Sequence, residues 1–170
     1  MEFGVFIQSY DPAFRRGDDP DEAEHQVLLH DMAVAKAADK AGFKYVWVTE
    51  HHFLDEYSHM SANDVVCGYL ANATERIHIG SGIYNPLPQV NHPAKVAERV
   101  AMLDHLSDGR FEFGTGRGAG SREVQRSGGS TTWSSVEMMR GSSLMGQSPS
   151  TAGVCVPCIS ARRRWSGGSV

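Results

Sequence analysis

Residues 45–52, with the sequence YVWVTEHH, are the most informative part of this chain, and we call them the decisive stretch. Its first five residues form a short apolar run that predicts a buried β-strand. Three ionisable residues, Glu50, His51 and His52, follow at once, and such residues are costly to bury unless partners hold them. In a parallel α/β barrel, the C-terminal ends of the strands are where side chains face a ligand. The stretch therefore predicts a strand that ends in a functional site.

Strand and helix signals alternate in the same way from residue 1 to about residue 124. The clearest helix boundaries are Asp19 and Pro20 at the start of one helix and Gly42 after its end, at about Ala41. The predicted strands are 3–7, 45–49, 77–79 and 110–113, and the predicted helices begin near Pro20, Ser61 and His92. Strands separated by helices in this rhythm predict an α/β fold with a parallel sheet, either curling toward a barrel or doubly wound.

The composition changes from about residue 125 onward. Ser and Gly dominate in runs such as 127–130, SGGS, and large aliphatic residues are scarce. Such a segment cannot bury enough apolar surface to offset the entropy of ordering it. We therefore predict two parts, an α/β part at 1–124 and a low-complexity tail at 125–170 that is rich in Ser, Gly and Arg and does not fold natively.

Charge and composition exclude several classes of function. The chain has 16 basic and 20 acidic residues, a formal charge of -4, and this balance argues against a nucleic-acid partner. No apolar run approaches the roughly 20 residues that a membrane span needs. Three cysteines without a disulfide-like framework favour a reducing cytoplasm.

Several motifs occur in order along residues 1–124 and together carry a family resemblance. They are 47–53, WVTEHHF; 79–82, IGSG; 87–88, LP, with 91–93, NHP; and 103–118, LDHLSDGRFEFGTGRG. The set resembles the bacterial luciferase-like family of flavin-dependent monooxygenases and oxidoreductases. The resemblance implies a (β/α)8 barrel, which usually needs about 250 residues, so these residues would supply its first four βα units.

The resemblance also implies the cofactor and the reactants. Reduced FMN, or a deazaflavin coenzyme in some branches, would bind at the C-terminal mouth of the barrel. A small organic substrate and O2 would react there, a separate flavin reductase would supply reduced cofactor, and the chain would form a homodimer. These expectations describe a flavin-dependent oxidoreductase in the cytoplasm.

Three residues of the decisive stretch are the catalytic candidates. His51 matches the family's general base beside the flavin, and an imidazole suits proton transfer near neutral pH. Glu50 and His52 are open between a role in the site and structural support. A metal site formed by Glu50, His51, His52, Asp55 and His59 is a further alternative, but adjacent histidines on an extended segment point to opposite faces.

The cofactor-binding candidates follow the third and fourth predicted strands. By resemblance, Arg117 matches an arginine that holds the flavin phosphate, and Gly116 lies in the glycine-rich run that lets the backbone approach an anion. Gly82 leaves room for a flat ring. An ordinary turn remains the alternative at each position, and an inactive half barrel or a metal-dependent barrel hydrolase remains the alternative for the whole chain.

Overall fold

A computed structural model of the chain describes residues 1–54, 57–85, 88 and 90–116. Strands and helices alternate in the described residues, with one short 3-10 turn at Ala13–Arg15. The strands are β1 (Gly4–Ile7), β2 (Tyr45–Val48), β3 (His78–Ser81) and β4 (Phe111–Glu112), and the helices are α1 (Pro20–Lys40), α2 (Asn63–Ala73) and α3 (Pro93–Leu106). All pairings are parallel, and the strands lie in the order β1-β2-β3-β4. The predicted α/β fold is confirmed. The low-complexity segment 125–170 lies outside the described residues, so the boundary at residue 124 stays a prediction.

Local signals set both ends of α1. The Asp19 side chain accepts a hydrogen bond from the Glu22 N–H at 3.1 Å, and Pro20 occupies the first helical position. At the other end, Gly42 adopts a φ of +83°, which a residue with a Cβ rarely tolerates. The predicted start and stop of this helix are therefore confirmed.

Helix α2 begins at Asn63 and not at Ser61, so the spacing of Ser61 and Asp64, which is typical of a capping box, is misleading here. The N-cap is Ala62, and no side chain caps the helix. Ser61 lies one residue before that N-cap, and its N–H donates to His59 O at 3.1 Å. The Asp64 carboxylate turns to Arg99, with the Nε and Oδ2 atoms 3.1 Å apart.

The two faces of the sheet have different partners. Side chains that alternate along the strands pack against the helices and form the core, and this face includes Ile7, Val46, Val48, Ile79 and Phe111. On the opposite face, one register row contains Phe6, Trp47, Gly80 and Glu112. Phe6 is 62% exposed there. In a closed barrel this second face is the one that lines the interior.

A buried carboxylate fixes the entry into β3. Asp39 lies near the end of α1, and its side chain accepts the backbone N–H groups of Glu75, Arg76 and Ile77 at 3.0, 3.0 and 2.8 Å. Burial raises the pKa of Asp39, but these N–H groups and the Arg76 charge together outweigh that effect, and the net pKa is lowered. The N-terminal edge of the sheet is thereby tied to α1.

No helix in the described part of the chain has both the length and the apolar character that crossing a membrane requires.

Candidate functional site

The decisive stretch leaves β2 at the C-terminal edge of the sheet. Glu50 and His51 are 4% and 8% exposed, although both residues are polar. Burial of this kind requires hydrogen-bond partners. The geometry around each side chain shows which elements supply them.

Glu50 joins three segments of the chain. Its Oε2 accepts the Asn85 backbone N–H at 2.9 Å, and its Oε1 accepts the Asn91 Nδ2 amide at 2.7 Å. His52 Nε2 lies 2.7 Å from the same Oε1, and because a carboxylate offers no proton, this nitrogen carries the hydrogen. The end of β2, the segment after β3 and the residues before α3 are thus held by one carboxylate.

The network extends from Glu50 to the helices. Asn91 accepts a hydrogen bond from Arg99 Nη1 at 3.0 Å, and Arg99 Nε in turn pairs with Asp64. Arg99 lies on α3 and Asp64 on α2. The orientation of Asn91 toward Glu50 is therefore supported by an ion pair between two helices.

His51 is held by the loop that follows it. Its backbone N–H donates to Met60 O at 2.9 Å, so the loop folds back on the end of β2. The Tyr57 ring meets the imidazole edge-on, with ring centroids 5.3 Å apart. The half-exposed Tyr57 side chain therefore lies between part of the imidazole and solvent.

The segment at residues 82–85, which we call the 82–85 segment, follows β3 and is held on several sides. Gly82 N donates to Val48 O at 2.7 Å, and Asn63 Nδ2 donates to Ile83 O at 3.3 Å. Tyr84 N donates to Gly114 O at 2.8 Å. The peptide bond between Gly82 and Ile83 is cis. Because Gly82 bonds to Val48, the last residue of β2, it lies on the same sheet edge as Glu50 and His51.

Gly116 is occupied by contacts within the chain. Its N–H donates to Tyr84 O at 3.2 Å, and a Cβ at this position would lie 2.9 Å from Ile83 Cδ1. Close packing on Ile83 explains why the position suits glycine. A cofactor contact at Gly116 stays a prediction. Arg117 lies outside the described residues, so its predicted phosphate contact stays a prediction as well.

Of the five residues considered as metal ligands, His59 has hydrogen-bond partners outside that set. His59 lies 3.2 Å from Arg16 Nη2 through Nε2 and 3.2 Å from Glu24 Oε1 through Nδ1. Asp55 lies outside the described residues. Across residues 1–54, 57–85, 88 and 90–116, no group of three or more His, Cys, Asp or Glu side chains is placed to hold a metal ion.

The sequence did not reveal the partners of Glu50. Asn85 and Asn91 lie 35 and 41 residues away from it along the chain, and no spacing rule links such positions. The 91–93 motif indicated a helix start and contributed to the family resemblance, and His92 does cap α3 by accepting the Ala94 N–H at 3.3 Å. The position of Asn91 just before that cap was the one available signal.

Known proteins are similar to this chain in sequence. The model of the luciferase-like monooxygenase family matches residues 1–140. The alkanal monooxygenase alpha chain of Photorhabdus laumondii is 31% identical over 125 residues, which cover 74% of this chain and 32% of that protein. This chain thus spans about a third of the length of the curated relatives it matches.

Solved structures agree on the fold. The monooxygenase RslO1 from Streptomyces bottropensis superposes with a TM-score of 0.71 at 25% identity, over 97% of this chain and 50% of that one. The coenzyme F420-dependent tetrahydromethanopterin reductase from Methanopyrus kandleri superposes with a TM-score of 0.51 at 27% identity, over 75% of this chain and 30% of that one. The resemblance carried by the sequence motifs is confirmed, and the chain belongs to the luciferase-like monooxygenase family.

Proposed function

We propose that this chain is part of a monooxygenase that binds reduced FMN and uses O2 to oxidise a small organic substrate. The observation that supports this most directly is the 2.9 Å hydrogen bond from Asn85 N to Glu50 Oε2. This bond joins two segments at one edge of the sheet. The segment after β2 contains the predicted base, His51, and the segment after β3 contains the predicted flavin contact, Gly82. The alkanal monooxygenase relative supports the same class of chemistry.

The residues at this edge fit a flat ring system. Gly82 has no side chain, and a Cβ there would lie 3.4 Å from the Phe6 ring and 3.4 Å from Trp47 Cβ. The Gly82 backbone therefore lies beside two aromatic residues with no side chain of its own, and aromatic groups favour stacked or edge-on contacts with another ring. Arg117 would hold the FMN phosphate, since a guanidinium suits that group.

His51 would act on protons at this edge. Bound reduced flavin would supply the electrons that activate O2. The His51 imidazole would take a proton and return it during the reaction, which an imidazole does readily near neutral pH. Tyr57 would keep the ring in one orientation and reduce its contact with water, because it packs edge-on against it.

A deazaflavin is the second candidate cofactor. The Methanopyrus neighbour, whose name includes coenzyme F420, is 27% identical to this chain. Gly82, Phe6 and Trp47 would suit either tricyclic ring, because stacking on aromatic groups does not distinguish the two. A chain that binds F420 more tightly than FMN would be a deazaflavin-dependent oxidoreductase. In the FMN case, a separate reductase in the cytoplasm would supply the reduced cofactor.

Titration of the purified chain with FMN and with F420 tests the proposal. We expect FMN to bind, and we expect His51→Ala to leave its affinity within about threefold while product formation from a linear aldehyde probe falls about 100-fold or more. His30→Ala changes an exposed histidine on α1 and is the matched control. A chain that binds neither cofactor at high micromolar concentration would contradict the proposal and favour a non-catalytic half barrel.

A further inference from the structure

We propose that Glu50 is a positioning residue: its carboxylate holds the 82–85 segment in the geometry that a flavin needs before any flavin binds. This inference rests on the proposed function, because it assigns the surface at Gly82 to the cofactor. It concerns a residue that does not itself need to touch the ring. The reasoning starts from how the segment is anchored.

Both ends of the 82–85 segment are tied to the end of β2. At the start of the segment, Gly82 N donates to Val48 O at 2.7 Å. At its end, Asn85 N donates to Glu50 Oε2 at 2.9 Å. Without Glu50 this tie is lost, while the segment keeps the bonds of Tyr84 to Gly114 and Gly116 and the 3.1 Å bond from Asn91 Nδ2 to Asn85 O.

The tie at Asn85 is the charged one. Neutral groups make the segment's bonds to Val48 O, to the Asn63 and Asn91 amides and to the backbone of Gly114 and Gly116. Hydrogen bonds to an ionised group are shorter and about twice as strong as neutral ones. Glu50 therefore contributes more to the placement of the segment than any one of these neutral partners.

The carboxylate is itself held in place. Oε1 accepts from Asn91 Nδ2, and Asn91 is fixed by Arg99, which pairs with Asp64. Because Oε1 of Glu50 already contacts Asn91 and His52, Oε2 is the oxygen that faces the Asn85 N–H. A side chain of the same shape but without two acceptor oxygens cannot satisfy this set.

Glu50→Gln is the informative variant. A glutamine offers one oxygen and one NH2 group, so its NH2 must face either the Asn85 N–H or the Asn91 amide, and a donor then opposes a donor. The matched control is Asp39→Asn. Asp39 is also a buried carboxylate that accepts backbone N–H groups, but it holds the residues that enter β3, at the opposite edge of the sheet.

FMN affinity and free energy of unfolding are measured for wild type and both variants. We expect both variants to lose stability, and we expect only Glu50→Gln to weaken FMN binding, by about tenfold, while Asp39→Asn stays within about twofold. A folded Glu50→Gln protein that binds FMN as wild type does would overturn the inference alone. A wild-type chain that binds neither FMN nor F420 would overturn the proposed function and the inference with it.

Amide hydrogen exchange at Asn85 decides the matter even if Glu50→Gln does not fold. In the wild-type chain without flavin, we expect the Asn85 N–H to be protected to the same degree as the amides of β3, because Glu50 already accepts it. An Asn85 amide that exchanges freely until FMN is added would show that the flavin, and not Glu50, orders the segment.

Discussion

Two buried carboxylates hold the two ends of β3. Asp39 accepts N–H groups before the strand, and Glu50 accepts one after it. The sequence made Glu50 a candidate because it follows an apolar run directly. Asp39 was visible only as one polar position on a helix face, because the groups it accepts lie 36 to 38 residues away.

Asp39 gives the chain a specific pH dependence. Against the opposing effect of burial, hydrogen bonds from three backbone N–H groups and the Arg76 charge lower its pKa in the folded state below the ordinary value of an aspartate. The stabilisation is therefore fully present above the pKa of the unfolded chain, about 3.9, and is lost as the pH falls through the lower folded value. We expect the free energy of unfolding to decrease in this acidic window, with a smaller slope in Asp39→Asn.

Urea unfolding at a series of pH values between 7 and about 2.5 checks this prediction. At neutral pH, Asp39→Asn should cost about 1–3 kcal/mol, because one buried N–H then faces an amide NH2 group. Asp18→Asn, at an exposed position, is the control and should leave the curve unchanged. Identical pH slopes for wild type and Asp39→Asn would show that Asp39 is not responsible.

At the scale of elements, helix boundaries were easier to predict than strand boundaries. Asp19, Pro20 and Gly42 act on their own neighbours, so the sequence alone is enough to locate α1. The third strand was predicted at 77–79 but spans His78–Ser81. Gly80 and Ser81 look like turn residues, yet they pair with Trp47 and Val48 of β2. Pairing with a distant strand therefore overrode the local signal.

The two glycines near the end of β3 have different reasons to be glycine. A Cβ at Gly80 would overlap the Trp47 ring, whereas a Cβ at Gly82 would find no atom closer than 3.4 Å. We expect Gly80→Ala to cost about 1–3 kcal/mol through overpacking and to shift the tryptophan fluorescence. Gly82→Ala should change stability little and weaken FMN binding instead. Equal losses of stability in urea unfolding would contradict this distinction.

Strand β1 allows a direct test of the two faces of the sheet. Ile7 is 3% exposed and belongs to the core, while its neighbour Phe6 is 62% exposed on the other face. Ile7→Ala should cost about 2–5 kcal/mol, and Phe6→Ala about 0.5 kcal/mol or less. Thermal and urea unfolding of both variants checks this. A larger loss of stability for Phe6→Ala than for Ile7→Ala would mean that Phe6, and not Ile7, faces the helices.

At the scale of the whole molecule, the order of the motifs predicted the family and the parallel α/β architecture. Glu50, Gly82 and Asn91, which belong to three of the motifs, are separated along the sequence but meet at one edge of the sheet. The network from Glu50 through Asn91 and Arg99 to Asp64 was not predictable, because it joins four elements by side chains without a shared spacing.

Hydrogen exchange of the whole chain with and without FMN shows where the flavin binds. If it binds at the C-terminal edge of the sheet, amides of residues 49–54 and 80–84 should exchange more slowly when FMN is present, whereas the Asn85 N–H is already protected without it. Amides of residues 74–78, which enter β3 at the opposite edge, should be unchanged. Protection confined to residues 74–78, or no protection at all with FMN bound, would contradict the placement of the site.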